Sequence, residues 1–309
     1  MRSHSGGVMG TDLKIEAIGT DVELLDRAIA AAVAELERVE DLMTDWRPSE
    51  LTRLNDSAGA GPVEVDPELG RLLARALKLS GFTDGAFDVT YAGVGRLWDF
   101  KRVPVQVPDE AMVRAALELV GYARVHVSED GTTVELPEGM RVGLGGIAKG
   151  YGVDRAMVVL MEHGVEHALV NAGGDLKALG RKLGEPWEVA IRHPRDEERV
   201  LAVIPVSNSC IVTSGDYARF FEHEGKRYHH IIDPRTGFPS QGCMSATVVA
   251  PEAATADALA TALCVLGPER GLALVERLDR VEALLVGMEG EVHVSSGLRD
   301  ALVPAAERR

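Results

Sequence analysis

The sequence has no long hydrophobic run, few cysteines, few aromatic residues and too few basic residues to balance its acids. Each shortage excludes something. No stretch approaches the ~18 consecutive apolar residues that a membrane-spanning helix needs, so no membrane span is expected. Cys210, Cys243 and Cys264 have no CxxC or zinc spacing, and their apolar surroundings mark them as reduced core thiols. The 33 Lys and Arg face 48 Asp and Glu, a formal net charge of -15. An acidic surface repels phosphate backbones and anionic lipid, which argues against nucleic acid or a membrane surface as partner. A phosphorylated small molecule is still possible, because a metal ion or a helix N-terminus supplies local positive charge. The opening residues, MRSHSGGVMG, show neither an apolar h-region nor a lipidation cysteine. As written the chain reads as soluble and cytoplasmic, with a periplasmic or cell-envelope location as the alternative if a leader has been removed. Residues 1–8 are expected to be disordered or artificially added.

What is present is a globular chain of 309 residues, 46% of them hydrophobic, long enough to bury a substantial core. Val22, Leu25, Ile29, Val33, Leu36, Val39 and Met43 form a helical stripe, with Thr20 or Asp21 placed to cap it. A second helix is expected over Pro67–Leu79 and a third over Thr255–Leu266. Strands are expected at Ala168–Val170, Trp187–Arg192, Val200–Val206, Tyr228–Ile232 and Ala246–Ala250. Several are joined by polar turns rather than helices, which predicts an α+β fold with antiparallel sheets. No short repeat and no linker divides the chain.

Several polar, small-residue stretches have no need in a packed core. Gly143–Gly150 (GLGGIAKG) is expected between a short strand and a helix starting near Tyr151. Its glycines admit a phosphate to the backbone or make a tight turn, and Gly143, Gly145 and Ala148 weakly fit a dinucleotide fingerprint. Asn171–Asp175 (NAGGD) ends in an acid that, on spacing alone, reads as a helix N-cap. Asp257 and Thr261 share one helix face, as hard-oxygen ligands for Mg²⁺ or as an ordinary polar pair. In His229–Gly237 (HHIIDPRTG), strand alternation pairs His230 with Ile232 and His229 with Ile231, and a histidine there serves as a base or as a structural residue. Aromatic residues such as Trp98 and Phe100, after Gly85–Asp88 (GAFD), suit a flat ring system or the core. Thr44–Pro48 (TDWRP) has the same ambiguity.

Taken in order, these stretches resemble the ApbE family of FAD:protein FMN transferases. The set runs from Met9-Gly10-Thr11 through Trp46-Arg47-Pro48, Ser49-Glu50-Leu51 and Leu54-Asn55 to Gly85-Ala86-Phe87-Asp88 and Leu144–Gly150. It continues through Asn171–Asp175, Ser214-Gly215-Asp216-Tyr217 and His230–Gly237, and ends at Ala256–Leu263. Each piece is short, and the ordered whole is specific.

The resemblance implies one domain over residues 9–300, T-fold-like, with two related lobes of antiparallel sheet and packed helices and a flavin bound between them. It implies Mg²⁺-dependent transfer of the FMN moiety of FAD to a Ser or Thr hydroxyl of an acceptor protein, releasing AMP. A Mg²⁺-dependent FAD pyrophosphatase and a non-catalytic FAD-binding protein are the alternatives. By the same likeness, Gly146, Asp257 and Thr261 hold Mg²⁺. Met9, Trp46, Ala86, Phe87, Asp88, Lys149 and Ile231 contact FAD, and His230 is the base. One position departs from the pattern: Gly143 stands where the family usually carries Asp.

Overall fold

The structure, a computed structural model, describes residues 1–100, 104–299 and 303–304. Two strands, β1 (Arg2–Val8) and β2 (Thr11–Ile18), open the chain as a hairpin. Residues 1–8 were expected to be disordered or artificially added. Instead Arg2–Val8 pairs with β2 along its whole length, from Arg2↔Ala17 to Val8↔Thr11, and this ladder satisfies its backbone groups. The turn between them puts Met9 and Gly10 at φ 52° and 70°, the two positive angles that a tight hairpin turn of this hand requires.

Helix α1 (Val22–Met43) follows, capped by Asp21, whose carboxylate accepts the Leu24 N–H at 3.0 Å. Its buried stripe is Leu25, Ala28, Ile29, Ala32, Leu36, Val39 and Met43. After it come α2 (Glu50–Asp56), β3 (Val63–Glu64), α3 (Pro67–Phe82), α4 (Ala92–Gly95) and α5 (Glu110–Leu117). Strands β4 (His126–Val127) and β5 (Thr133–Glu135) complete a small sheet with β3.

Helix α6 (Ala148–Glu162) starts at Ala148, earlier than expected, and no strand directly precedes Gly143. Beyond it lie β6 (His167–Ala172), β7 (Asp175–Leu179), β8 (Trp187–His193), β9 (Asp196–Val206) and β10 (Ser209–Gly215). The hairpin of β11 (Phe220–His223) and β12 (Lys226–His229) leads to β13 (Ser245–Ala250). The expected strand to Ile232 ends at His229, because beyond it only an isolated bridge joins Ile232 to Pro239. Helix α7 (Ala253–Val275), β14 (Glu282–Val286), β15 (Val292–Val294) and β16 (Val303–Pro304) finish the described chain. Regular α7 geometry breaks at Gly267, with φ 75° and ψ 176° and Pro268 beside it, so its first segment ends where the sequence placed it.

Eight strands form one sheet in the order β1-β2-β6-β7-β10-β13-β14-β15, every neighbouring pair antiparallel. Alternate residues feed two cores. Cys210, Val212, Ala246 and Val248 join the α1, α6 and α7 faces in the larger core. Ile211, Leu284 and Val286 point the other way and pack with Trp187, Ile191 and Ile204 of β8 and β9. Because helices cover one face and a strand layer the other, a strand such as β14 is apolar on both faces over Ala283–Val286 despite being antiparallel. The architecture is α+β, and all three cysteines are free and buried. Helix α7 is long and apolar enough to span a bilayer by length and composition, yet most of its apolar window is buried within the fold.

Candidate functional site

A cavity of about 530 Å³ opens where α6, α7, the end of β10 and the neck of the β11–β12 hairpin meet. Close backbone packing builds its floor. A Cβ on Gly150 would lie 2.2 Å from the Ala253 carbonyl oxygen, so only glycine lets the start of α6 cross the start of α7 this closely. That crossing brings the Asp257 carboxylate to the Gly150 N–H, which donates to it at 3.2 Å. Thr261 follows one turn later on α7. A Cβ on Gly146 would sit 3.1 Å from Thr261 Oγ1 and 3.3 Å from Phe87 Cε2, so the glycine loop fits against this pair.

Lys149 unites two acids. Its Nζ donates to Asp175 at 2.8 Å and stands 3.5 Å from Asp257, and both carboxylates are buried. Burial pulls the Lys149 ammonium toward neutrality, but the two acids outweigh it and raise its pKa. Asp175 is pushed up to about 8, first by burial and then by the charge of Asp257, against the attraction of Lys149. Two buried acids share one ammonium, so Asp175 keeps its proton near neutral pH, and a hard cation beside the pair would favour its ionised form instead. No cluster of three His, Cys, Asp or Glu side chains able to enclose a metal occurs among the described residues. Asp257 and Thr261 offer two hard oxygens on one helix turn, a donor set that fits a cation taking few protein ligands and completing its shell with water and phosphate.

Of the residues singled out from the sequence, Ala86, Phe87, Asp88, Gly146, Lys149, His230, Ile231, Asp257 and Thr261 line this one cavity. Met9 and Trp46 are not among its lining residues. Met9 is buried, its N–H donates to Glu40 at 2.6 Å, and its sulfur packs where a Gly152 Cβ would be, 3.1 Å away. Trp46 is exposed, while its neighbour Asp45 lines the cavity. Asp88 lines it too, but its carboxylate accepts from Thr90 N–H and Oγ1 and from Tyr122 N–H, a structural anchor for the turn into α4. Burial raises its pKa.

Strand alternation separated the two histidines correctly and misplaced Ile231. Because β12 ends at His229, His230, Ile231 and Ile232 all reach the cavity, whereas His229 is buried with Nε2 against the Ser240 carbonyl at 2.9 Å. The His230 pKa is lowered to about 4 by burial, then by the charges of His229, Arg219 and Lys149, so its ring is neutral at physiological pH. Its Nδ1 has no hydrogen-bond partner among the described residues. Asp175, read as a helix cap, instead begins β7 and serves the site. Tyr91 and Arg219 also line the cavity, unnoticed in the sequence because tertiary pairing places them. Trp98 and Phe100 line it while stacking into the aromatic cluster of Tyr228 and Phe221, so both readings of the aromatics hold. The dinucleotide fingerprint falls, since the preceding strand and parallel βαβ unit it needs are absent around Gly143. At Gly143, Asp45 Oδ2 stands 3.9 Å from where a Cβ would sit.

A family model described as the ApbE family matches residues 9–285. An FAD:protein FMN transferase of Treponema pallidum is 39% identical over 269 residues, covering 82% of this chain and 74% of its own length. One from Vibrio cholerae is 36% identical over 289 residues, covering 91% of this chain and 86% of the other. Among solved structures, the ApbE protein of Thermotoga maritima superposes with a TM-score of 0.88 at 33% identity, over 97% of this chain and 98% of that one. The flavin transferase ApbE of Vibrio cholerae gives a TM-score of 0.84 at 34% identity, over 97% and 98%. With the family match spanning most of the chain and the glycine loop, Asp257–Thr261 turn and His230 sharing one cavity, the chain belongs to the ApbE family.

Proposed function

We propose that the protein is an FAD:protein FMN transferase, moving the FMN moiety of FAD to a Ser or Thr hydroxyl of an acceptor protein and releasing AMP. The observation that carries this reading is the convergence, in one cavity, of the hard-oxygen pair Asp257 and Thr261, the Lys149 ammonium beside it, and a neutral histidine with an unpartnered ring nitrogen. Curated relatives with this activity support it.

Asp257, Thr261 and the backbone of Gly146 would hold Mg²⁺, with the diphosphate of FAD and water completing its shell. When bound, the cation neutralises charge on the diphosphate and orients it. Lys149 and the α6 N-terminus add positive potential at the same end of the cavity. His230 accepts the proton of the acceptor hydroxyl while the oxygen bonds to the FMN phosphorus and the bridging P–O bond to AMP breaks. The flavin ring is held in the apolar part of the cavity, beside Phe87, Trp98 and Ile231.

The test is to incubate the protein with FAD, Mg²⁺ and an acceptor domain carrying an Asp-Gly segment before a Thr, and to weigh the acceptor. An FMN-sized mass gain supports transfer. Free FMN without that gain means hydrolysis, and unchanged FAD means a binding protein; either overturns the proposal.

A further inference from the structure

In the β11–β12 hairpin, Phe220 pairs with His229, so the next facing pair at its neck is Arg219 and His230. The His230 N–H donates to the Arg219 carbonyl at 3.1 Å, closing that neck. Directly facing residues on antiparallel strands project to the same side, with Cβ atoms about 4.5–5.5 Å apart. Both residues line the cavity accordingly. The Arg219 guanidinium reaches toward the β1–β2 turn, with Nη2 3.8 Å from where a Gly10 Cβ would sit.

Its neighbours are neutralised and it is not. Arg195 grips buried Asp216 through both carboxylate oxygens, and Arg227 pairs with Asp216 and Glu222. Arg219 has neither an ion pair nor a side-chain hydrogen bond among the described residues. In a chain of net charge -15, an uncompensated guanidinium facing a cavity beside a neutral base is placed for an anion.

Resting on the transfer reading above, we propose that Arg219 is a further catalytic residue, its guanidinium holding the non-bridging oxygens of the FMN phosphoryl group beside His230. Charge on those oxygens would then be met from two directions, by the cation that Asp257 and Thr261 would hold and by Arg219. The acceptor oxygen forms its bond to phosphorus, its proton passes to His230, and the bridging P–O bond breaks with the electron pair leaving on AMP. Arg219 changes no bond. It positions the phosphorus and stabilises developing charge, the role for which a planar bidentate donor is suited. Its charge also disfavours protonation of His230.

The experiment compares wild type, Arg219→Gln and Arg219→Lys with FAD, Mg²⁺ and the acceptor domain, reading kcat and KM by mass gain and FAD affinity by fluorescence quenching. Expected are a kcat about 100-fold or more lower in Arg219→Gln, an intermediate Arg219→Lys, an FAD affinity changed only a few-fold, and partial recovery of Arg219→Gln in millimolar guanidinium. A kcat within threefold of wild type, or a loss with no recovery in guanidinium, overturns the assignment. Wild type that yields no modified acceptor defeats the transfer reading itself, so the two failures are distinct.

Discussion

The carboxylate of Asp257 accepts the backbone N–H of Gly150 at 3.2 Å, tying the Asp257–Thr261 face of α7 to the first turn of α6. One carboxylate thus caps a helix N-terminus, faces Lys149 and offers its remaining oxygen capacity to the cavity. Asp257→Asn keeps the shape and removes the charge. Transfer is expected to fall at least about 100-fold, because charge neutralisation is the main work of phosphoryl transfer. Titration calorimetry with Mg²⁺ and FAD should show the metal dependence of binding lost with it. Full turnover in Asp257→Asn would remove the metal assignment.

That crossing predicts a second effect. Gly150→Ala forces a Cβ to 2.2 Å from the Ala253 carbonyl oxygen, a backbone atom that cannot rotate aside. The helices must separate, at a cost of about 2–3 kcal/mol of stability. The start of α6 then moves from Asp257, so Mg²⁺ affinity should fall together with the midpoint in urea. A variant of wild-type stability would show that the helices do not pack this closely.

The pKa of His230 is held near 4, below its ordinary value of 6.5. A base must be neutral, so the limb of kcat/KM due to His230 is expected near pH 4, leaving the rate flat in that group from about pH 5 to 8. The stability sign follows. The native state binds fewer protons at His230 than the unfolded chain, so this contribution is present above pH 6.5 and is lost as pH falls toward 4. His230→Ala should abolish that slope in urea melts and reduce transfer by about 100- to 10,000-fold. Wild-type kcat/KM that declines with a midpoint at 6.5 would contradict the buried, neutral ring.

Much of the cavity lining is legible in the sequence. The spacing of Asp257 and Thr261 puts them on one helix face, which α7 delivers locally, but only the family resemblance separates them from an ordinary polar pair. The stripe of α1 and the strands β6, β8, β9 and β13 were legible because their periodicity is local, whereas β10 and β14, which also feed the cores, were not expected. What escaped depends on distant partners. Asp175 looks like a cap until Lys149 comes to it from another element. Arg219 becomes a cavity residue only through its pairing across the hairpin with His230. The strand expected over Tyr228–Ile232 runs past the end of β12 at His229 because the apolar residues continue after the hydrogen-bonding partner has ended.

Gly143 provides the last prediction. The family pattern carries a carboxylate at this position, and here the side chain is absent. Asp45, from the turn between α1 and α2, places Oδ2 3.9 Å from where that Cβ would be, and both Asp45 and Tyr91 line the cavity. The charge of Asp45 is felt there: burial first, and then Asp45, hold the Tyr91 hydroxyl protonated with its pKa raised to about 12. A carboxylate supplied from α1–α2 can accept from an N–H or O–H of the nucleotide as one at residue 143 would. Asp45→Ala is therefore expected to raise the KM for FAD about 10-fold with little change in kcat, the loss of one hydrogen bond to a charged group. Gly143→Asp in that background should recover part of the affinity, limited by a Cβ 3.0 Å from the Ala92 methyl. Unchanged KM in Asp45→Ala would show that its carboxylate faces the cavity without touching the substrate.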